Sequence, residues 1–258
     1  MMIDIDALFD EYLNDFIEEN SDKLSASDIE KRIQELYEEF GNLPNDELDG
    51  LTPIEYCEKM DTEDLLSSLE AGVLENGCVS DFLCKALEKR NDATSGLIKF
   101  AFCENEELSV YAINVLATIG EKESLNLFVD ALSSRKISQN VADVMTEALC
   151  LNADLVKEDV LRVYNPMKKG ADSFEEVFSN MSSDERVFKI LCANFLNDSK
   201  KLAINAGYLS KYGDDRALSI LYSTLKRKDL SLIDYSEIKT AIEKLGGEVE
   251  DDGRFLSH

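Results

Sequence analysis

The chain has 258 residues, of which 44% are hydrophobic, enough apolar material for one large domain or two small ones. Asp and Glu number 53 against 27 Lys and Arg, so the formal net charge at pH 7 is −26. A surface this negative repels phosphate, and the composition therefore argues against binding to nucleic acid or to an anionic membrane.

The negative charge is concentrated near the N-terminus. Residues 1–76 hold 23 acidic and 4 basic residues, whereas residues 77–258 hold 30 and 23. Two interpretations stay open: the acidic residues form a solvated face that keeps the chain in solution, or they form a landing site for a basic partner.

The first elements in chain order are helices, because the apolar spacing is helical and glycine and proline are few. A first amphipathic helix is predicted from Asp4 to Glu19. A second is predicted to begin at a capping box formed by Ser27 and Glu30 and to stop at Gly41. The sequence Thr52-Pro53 predicts the start of a third, with threonine as the N-cap.

From about residue 62 the apolar pattern repeats on a longer scale. One family of helices carries apolar residues at i, i+3, i+4 and i+7, with starts at Val79, Ala112, Val141, Phe174 and Ile238. The same frame occurs at Asn205, where the first position is polar, and the six starts are about 31 residues apart. A second family is offset by about thirteen residues, with stripes that begin at Leu97, Leu125, Val156, Phe188 and Leu218. Each repeat is therefore predicted to contain a first helix and a second helix.

Local sequence agrees with this period. Residues Leu116–Leu125 align without gaps with Leu209–Leu218, and Ile242–Gly246 begins the same phrase again. The phrase is an apolar helix end, a glycine, two or three polar residues and a second amphipathic helix. It resembles the short HEAT-like repeats common in bacterial proteins, over about residues 62–246.

That resemblance implies an all-α fold, a right-handed α-α superhelix with an acidic helical N-terminal cap. The expected organisation is an acidic helical cap over residues 1–60, HEAT-like repeats over 61–247 and a polar tail over 248–258. The resemblance also implies that the second helices line a concave groove that binds another protein. The predicted protein-binding positions, which point outward from those helices, are Asn126, Asp130, Ser219, Ser223 and Lys226.

Residues for catalysis or metal binding are scarce. The chain has no tryptophan, and its one histidine is His258 in the polar tail. The six cysteines form no Cys-x-x-Cys pair and are expected to be small core residues. We therefore predict a protein that is not an enzyme and needs no cofactor or metal. No signal peptide or membrane-spanning segment is evident, and a cytoplasmic location is expected.

The leading hypothesis is a protein-protein interaction module whose partner is another protein, possibly a basic one, with no nucleic acid and no membrane. The alternative is an acidic inhibitor or immunity-type protein that neutralises a basic nuclease or toxin. Basic pairs such as Lys200-Lys201 would suit a nucleic-acid edge, but the acidic background argues against it. An enzymatic member of this class would need a polar pocket, which the sequence does not reveal.

Overall fold

The computed structural model describes residues 3–21, 23–134, 136–168 and 170–250. Over these ranges the chain is helical and has no β-strand, which confirms the all-α prediction. The chain divides into two compact units, residues 1–119 and residues 120–258. None of the helices in the described ranges is both long and apolar enough to cross a membrane.

The first unit contains eight α-helices among its described residues. Short 3-10 turns lie at Asp46–Leu48 and Asn91–Ala93, and a π-helical segment at Gly72–Asn76 directly follows the fifth α-helix. The α-helices are α1 (Ile5–Asn20), α2 (Ala26–Glu30), α3 (Ile33–Phe40), α4 (Pro53–Lys59), α5 (Thr62–Ala71), α6 (Asp81–Glu88), α7 (Thr94–Ala101) and α8 (Glu106–Ile119).

Side-chain caps fix the starts of several of these helices. Asp4 caps α1, and Thr52 forms a capping box with Glu55 at the start of α4, so both predicted helix starts are confirmed. The predicted capping box at Ser27 is wrong, because the box is formed by Ser25 and Asp28. Two overlapping Ser-x-x-acid frames occur here, and only the earlier serine has the extended backbone that an N-cap requires.

Aromatic rings join the acidic N-terminal helices to α6. The ring of Tyr37 stacks on Phe82 with centroids 4.5 Å apart, and the Phe9 ring meets Tyr37 edge-on at 4.8 Å. Gly41 allows this approach, because a Cβ at that position would lie 2.5 Å from the Phe82 ring. The N-terminal helices thus share a core with α6. That these helices form a cap on a stack of repeats, and that the cap ends near residue 60, stays a prediction.

The second unit also contains eight α-helices among its described residues. A short 3-10 turn at Asp215–Ala217 leads into its seventh α-helix. The α-helices are α9 (Lys122–Ser134), α10 (Gln139–Leu151), α11 (Lys157–Val163), α12 (Ala171–Ser179), α13 (Glu185–Asn197), α14 (Leu202–Tyr212), α15 (Leu218–Leu225) and α16 (Leu232–Lys244).

Packing in this unit follows the two predicted families. The first helices contact one another in chain order, α10 with α12, α12 with α14, and α14 with α16. Three of the second helices pack against a neighbouring first helix, α9 against α10, α13 against α14 and α15 against α16, whereas α11 packs against α9. The largest fully buried side chains of the unit include Phe128 on α9, Phe174 and Phe178 on α12, and Phe195 on α13. Helices of both predicted families therefore contribute to the apolar core.

Charged side chains link successive second helices. The Arg186 guanidinium contacts the Asp184 carboxylate at 2.7 Å and reaches back to Glu158 in the first turn of α11 at 2.6 Å. Thirty residues on, Arg216 repeats the arrangement with Asp214 at 2.6 Å and Glu185 at 2.9 Å. The same Asp-x-Arg pattern thus holds two neighbouring second helices in register.

Candidate functional site

Four of the five predicted protein-binding positions lie on the surface. Asp130 on α9, Ser219 and Ser223 on α15, and Lys226 at the end of α15 are exposed. Asn126 on α9 is only half-exposed, and its Oδ1 is buried without a hydrogen-bond partner among the described residues. The predicted binding role of these positions stays a prediction.

A groove of about 350 Å³ crosses three consecutive first helices of the second unit. Its acidic side chains form two rows. Asp143 and Glu147 are one turn apart on α10, and Asp172 and Glu176 are one turn apart on α12. We call this the acidic groove. Among the described residues that line it there is no Lys or Arg; the others are Gln139, Thr146, Ser173 and Tyr208.

The carboxylates of the acidic groove differ in their partners. Asp172 pairs with the Lys201 ammonium group, and Asp143 accepts a hydrogen bond of 2.7 Å from the Gln139 side chain. For Glu147 and Glu176, no ion pair is found within the described part of the chain. Burial and the charges of Glu176, Glu175 and Asp172 raise the pKa of Tyr208 to about 12, so its hydroxyl stays protonated and can donate at neutral pH.

A buried polar cluster holds α12 in place behind the acidic groove. Glu175 is 5% exposed, and its Oε1 accepts a hydrogen bond of 3.0 Å from the Tyr164 hydroxyl. The same hydroxyl accepts a hydrogen bond of 2.7 Å from the Asn194 side chain on α13. Burial raises the pKa of Glu175, because removing its carboxylate from water is unfavourable. The hydrogen bond from Tyr164 offsets part of this cost. The cluster therefore positions Glu176 and the acidic row of α12.

The first unit contains a cavity of about 460 Å³. It is open to solvent on one side and is lined by the start of α1, the end of α4, α5 with its π-helical extension, and the start of α6. Asp4, Asp6 and Glu75 contribute carboxylates. The Asn76 side chain donates a hydrogen bond of 2.8 Å to Asp4 Oδ2, which joins the π-helical segment to the start of α1. The other lining residues are Ile3, Ile5, Tyr56, Met60, Ser68, Ala71, Gly72, Cys78, Val79, Ser80 and Leu83.

Asp6 has the most perturbed carboxyl group of this cavity. Burial, together with the neighbouring charges of Asp4, Asp10 and Asp81, raises its pKa to about 6. The Cys78 thiol opposes this shift by a hydrogen bond to the carboxylate. Perturbed acids in cavities are frequent at functional sites, and π-helical segments are too.

The cysteines are free thiols that differ in burial. All six are free; Cys57 is buried, Cys78 is exposed and the other four are half-buried, so the expected uniform core location holds fully only for Cys57. Burial raises the pKa of Cys57, Cys84 and Cys150 to about 12, away from the thiolate form that reacts. In the described ranges, no three His, Cys, Asp or Glu side chains are grouped to hold a metal ion.

Sequence reasoning missed both the acidic groove and the cavity. The pairs Asp143 with Glu147 and Asp172 with Glu176 are visible at i, i+4 on neighbouring first helices, and that spacing was the available signal. The cavity had no comparable signal, because its lining runs from Ile3 to Leu83 and depends on a π-helical turn.

Comparison with known proteins does not assign the chain to a family. A scan against protein-family models matches no family, and a search of curated proteins gives no match.

Proposed function

We propose that this protein is a non-enzymatic interaction module that binds a basic helical segment of another protein in the acidic groove. The observation that carries the proposal is the pair of acidic rows on the neighbouring helices α10 and α12, with no basic residue among the described residues that line the groove. Residues one turn apart on a helix lie on the same face, so lysines at i and i+4 of a docked helix would match each row. Tyr208 at the α14 side would contact their aliphatic stems.

A short HEAT-like superhelix is the proposed architecture. Its support is the alternation of two helix families at the predicted spacing and the chain-order contacts of α10, α12, α14 and α16. Successive first helices in such a stack form a continuous surface on which a partner segment can lie. We propose a cytoplasmic location and no cofactor; six free thiols are compatible with a reducing compartment.

A peptide-binding measurement tests this function. The probe is a fluorescein-labelled, alanine-based helical peptide with lysines at i, i+4 spacing, and its reference is the same peptide with glutamine at those positions. Fluorescence anisotropy at about 0.15 M salt should show saturable binding of the lysine peptide only. Replacing Asp143, Glu147 and Glu176 by their amides should weaken binding at least about tenfold, or about 1.4 kcal/mol.

A matched control separates the groove from the overall negative charge. The exposed acids Asp215, Glu237 and Glu243 lie in the same unit outside the groove, and their amide variant removes the same charge. It should change affinity less than about twofold. Equal losses in the two triple variants would mean that only net charge attracts the peptide, and the groove proposal would be wrong.

A further inference from the structure

We propose that the cavity of the first unit binds an alkylammonium group, a primary amine carried on a short apolar stem. The inference goes beyond the acidic groove and does not depend on it, because the cavity is formed entirely by residues of the first unit. The amine would come either from a free small molecule or from a lysine side chain of another chain.

The lining of the cavity has two chemically distinct parts. Carboxylates of Asp4, Asp6 and Glu75 supply acceptors for an ammonium group, and none of the described lining residues is a Lys or Arg that would neutralise them. Apolar side chains supply contacts for a hydrocarbon stem, namely those of Ile5, Met60, Ala71, Val79 and Leu83. A cation with an apolar stem matches both parts, whereas an anion would be repelled.

No cationic partner of the half-buried Asp6 carboxylate is found in the part of the chain that the structure describes. Its described hydrogen-bond partner is the Cys78 thiol, a weak donor, and no ion pair to Asp6 is found among the described residues. A carboxylate removed from water without such a partner has lost solvation that is not replaced. An ammonium ion would replace it by charge-assisted hydrogen bonds, and this gain favours a charged ligand over a neutral one.

The cavity is preorganised rather than a gap between mobile side chains. Asp4 caps α1 through Oδ1 and accepts from Asn76 through Oδ2, so α1 and the π-helical segment are joined at the rim. Tyr37 hydrogen-bonds Ser80 at 3.0 Å and accepts from the Asp81 backbone at 3.1 Å, which fixes the opposite wall. A ligand would therefore bind without first ordering its site.

The test is a titration of the full chain with n-butylammonium chloride, followed by methyl NMR of Ile5, Val79 and Leu83. The expected result is saturable shifts at these methyl groups, with distant methyl groups unchanged. The uncharged analogue n-butanol should produce no such shifts at equal concentration. If butylammonium gives no saturable shift up to about 20 mM, or butanol acts equally well, the proposal is overturned.

Two variants remove different properties of the cavity. Asp6→Asn should weaken butylammonium binding at least about tenfold, and the matched control Glu70→Gln, an exposed acid of α5 outside the cavity, less than about twofold. Ala71→Leu leaves the charge unaltered and fills the cavity, so it should abolish the shifts even if Asp6→Asn perturbs the fold. Unchanged affinity in Ala71→Leu would place the amine elsewhere and overturn the proposal.

A blocked Gly-Lys-Gly peptide distinguishes the two sources of the amine. If it shifts the same methyl groups, the site accepts a lysine side chain of another protein; if only butylammonium does, the site takes a free amine. Either result supports an alkylammonium site, because both require the same carboxylates. The acidic-groove triple variant should lose binding of the lysine peptide and still bind butylammonium. That result would show that the cavity functions independently of the acidic groove.

Discussion

Two glycines of the second unit have the same backbone conformation and different surroundings. Gly170 and Gly213 have φ angles of +81° and +82°. A Cβ at Gly170 would lie 2.5 Å from the Leu132 carbonyl oxygen, whereas the nearest atom at Gly213 is 4.0 Å away. Position 170 therefore requires glycine for both conformation and space, and position 213 for conformation alone.

We expect Gly213→Ala to lower the free energy of unfolding by about 1–2 kcal/mol, the cost of a left-handed alanine. Gly170→Ala should cost about 1–3 kcal/mol more, because the backbone carbonyl cannot move aside as a side chain can. Urea denaturation of both variants measures this difference. Equal losses would mean that the close approach of Leu132 is not present in solution.

Asp6 gives stability a specific pH dependence. Because its pKa rises from 3.8 in the unfolded chain to about 6 in the folded one, the folded state loses stability as Asp6 deprotonates between these values. The full shift corresponds to about 3 kcal/mol, which we reduce to about 1 kcal/mol because the carboxyl group is partly solvated.

Asp6→Asn should therefore raise the free energy of unfolding by about 1 kcal/mol at pH 7.5 and leave it nearly unchanged at pH 3.5, where the carboxyl group is protonated in the folded state and mostly protonated in the unfolded state. Denaturant titrations at the two pH values provide the measurement. Glu70→Gln serves as the control for general relief of negative charge. A stabilisation that is the same at both pH values would contradict the assigned shift.

At the scale of elements, the buried cluster of Tyr164, Glu175 and Asn194 joins α12 and α13. Tyr164→Phe removes the donor to a carboxylate that is 5% exposed and should lower the free energy of unfolding by about 1–3 kcal/mol. Adding Glu175→Met, which replaces the carboxylate by an apolar chain of similar shape, should recover most of this loss. A double-mutant cycle by urea denaturation measures the coupling, and additive losses would argue against the hydrogen bond.

Helix positions followed from the sequence more closely than the details of their ends. The stripes beginning at Val141, Phe174 and Ile238 all fall within or beside helices, because an apolar period of 3.6 residues is a local property. The capping box was misassigned, because Ser25 and Ser27 offer the same local pattern and the choice depends on backbone conformation. Interactions between repeats, such as Arg186 with Glu158, depend on which helices become neighbours.

At the scale of the whole molecule, the composition predicts an acidic surface but does not predict the acidic groove or the cavity. The apolar pattern identifies which face of each helix is buried. It does not distinguish one exposed face from another, because solvent-facing positions carry no apolar signal. The predicted binding positions were placed on second helices, by family resemblance. The acidic groove lies on first helices, and the lining of the cavity comes partly from residues 1–60, predicted as a cap, and partly from the region predicted as repeats.

The net charge of −26 predicts a steep salt dependence for any basic partner. Association of the lysine peptide should slow markedly between about 0.05 and 0.3 M salt, since long-range attraction is screened. Dissociation should change less, because it depends on contacts at the groove. Stopped-flow fluorescence measures both rates, and an association rate independent of salt would exclude electrostatic steering.

The most direct test of the central claim is to locate the bound peptide. A lysine peptide with a nitroxide spin label is added to the deuterated protein, and paramagnetic broadening of backbone amides is measured by NMR. We expect broadening along α10, α12 and α14, with little effect on the exposed faces of α9 and α15. Broadening centred on Asp130, Ser219, Ser223 and Lys226 instead would contradict the account and assign binding to the second helices.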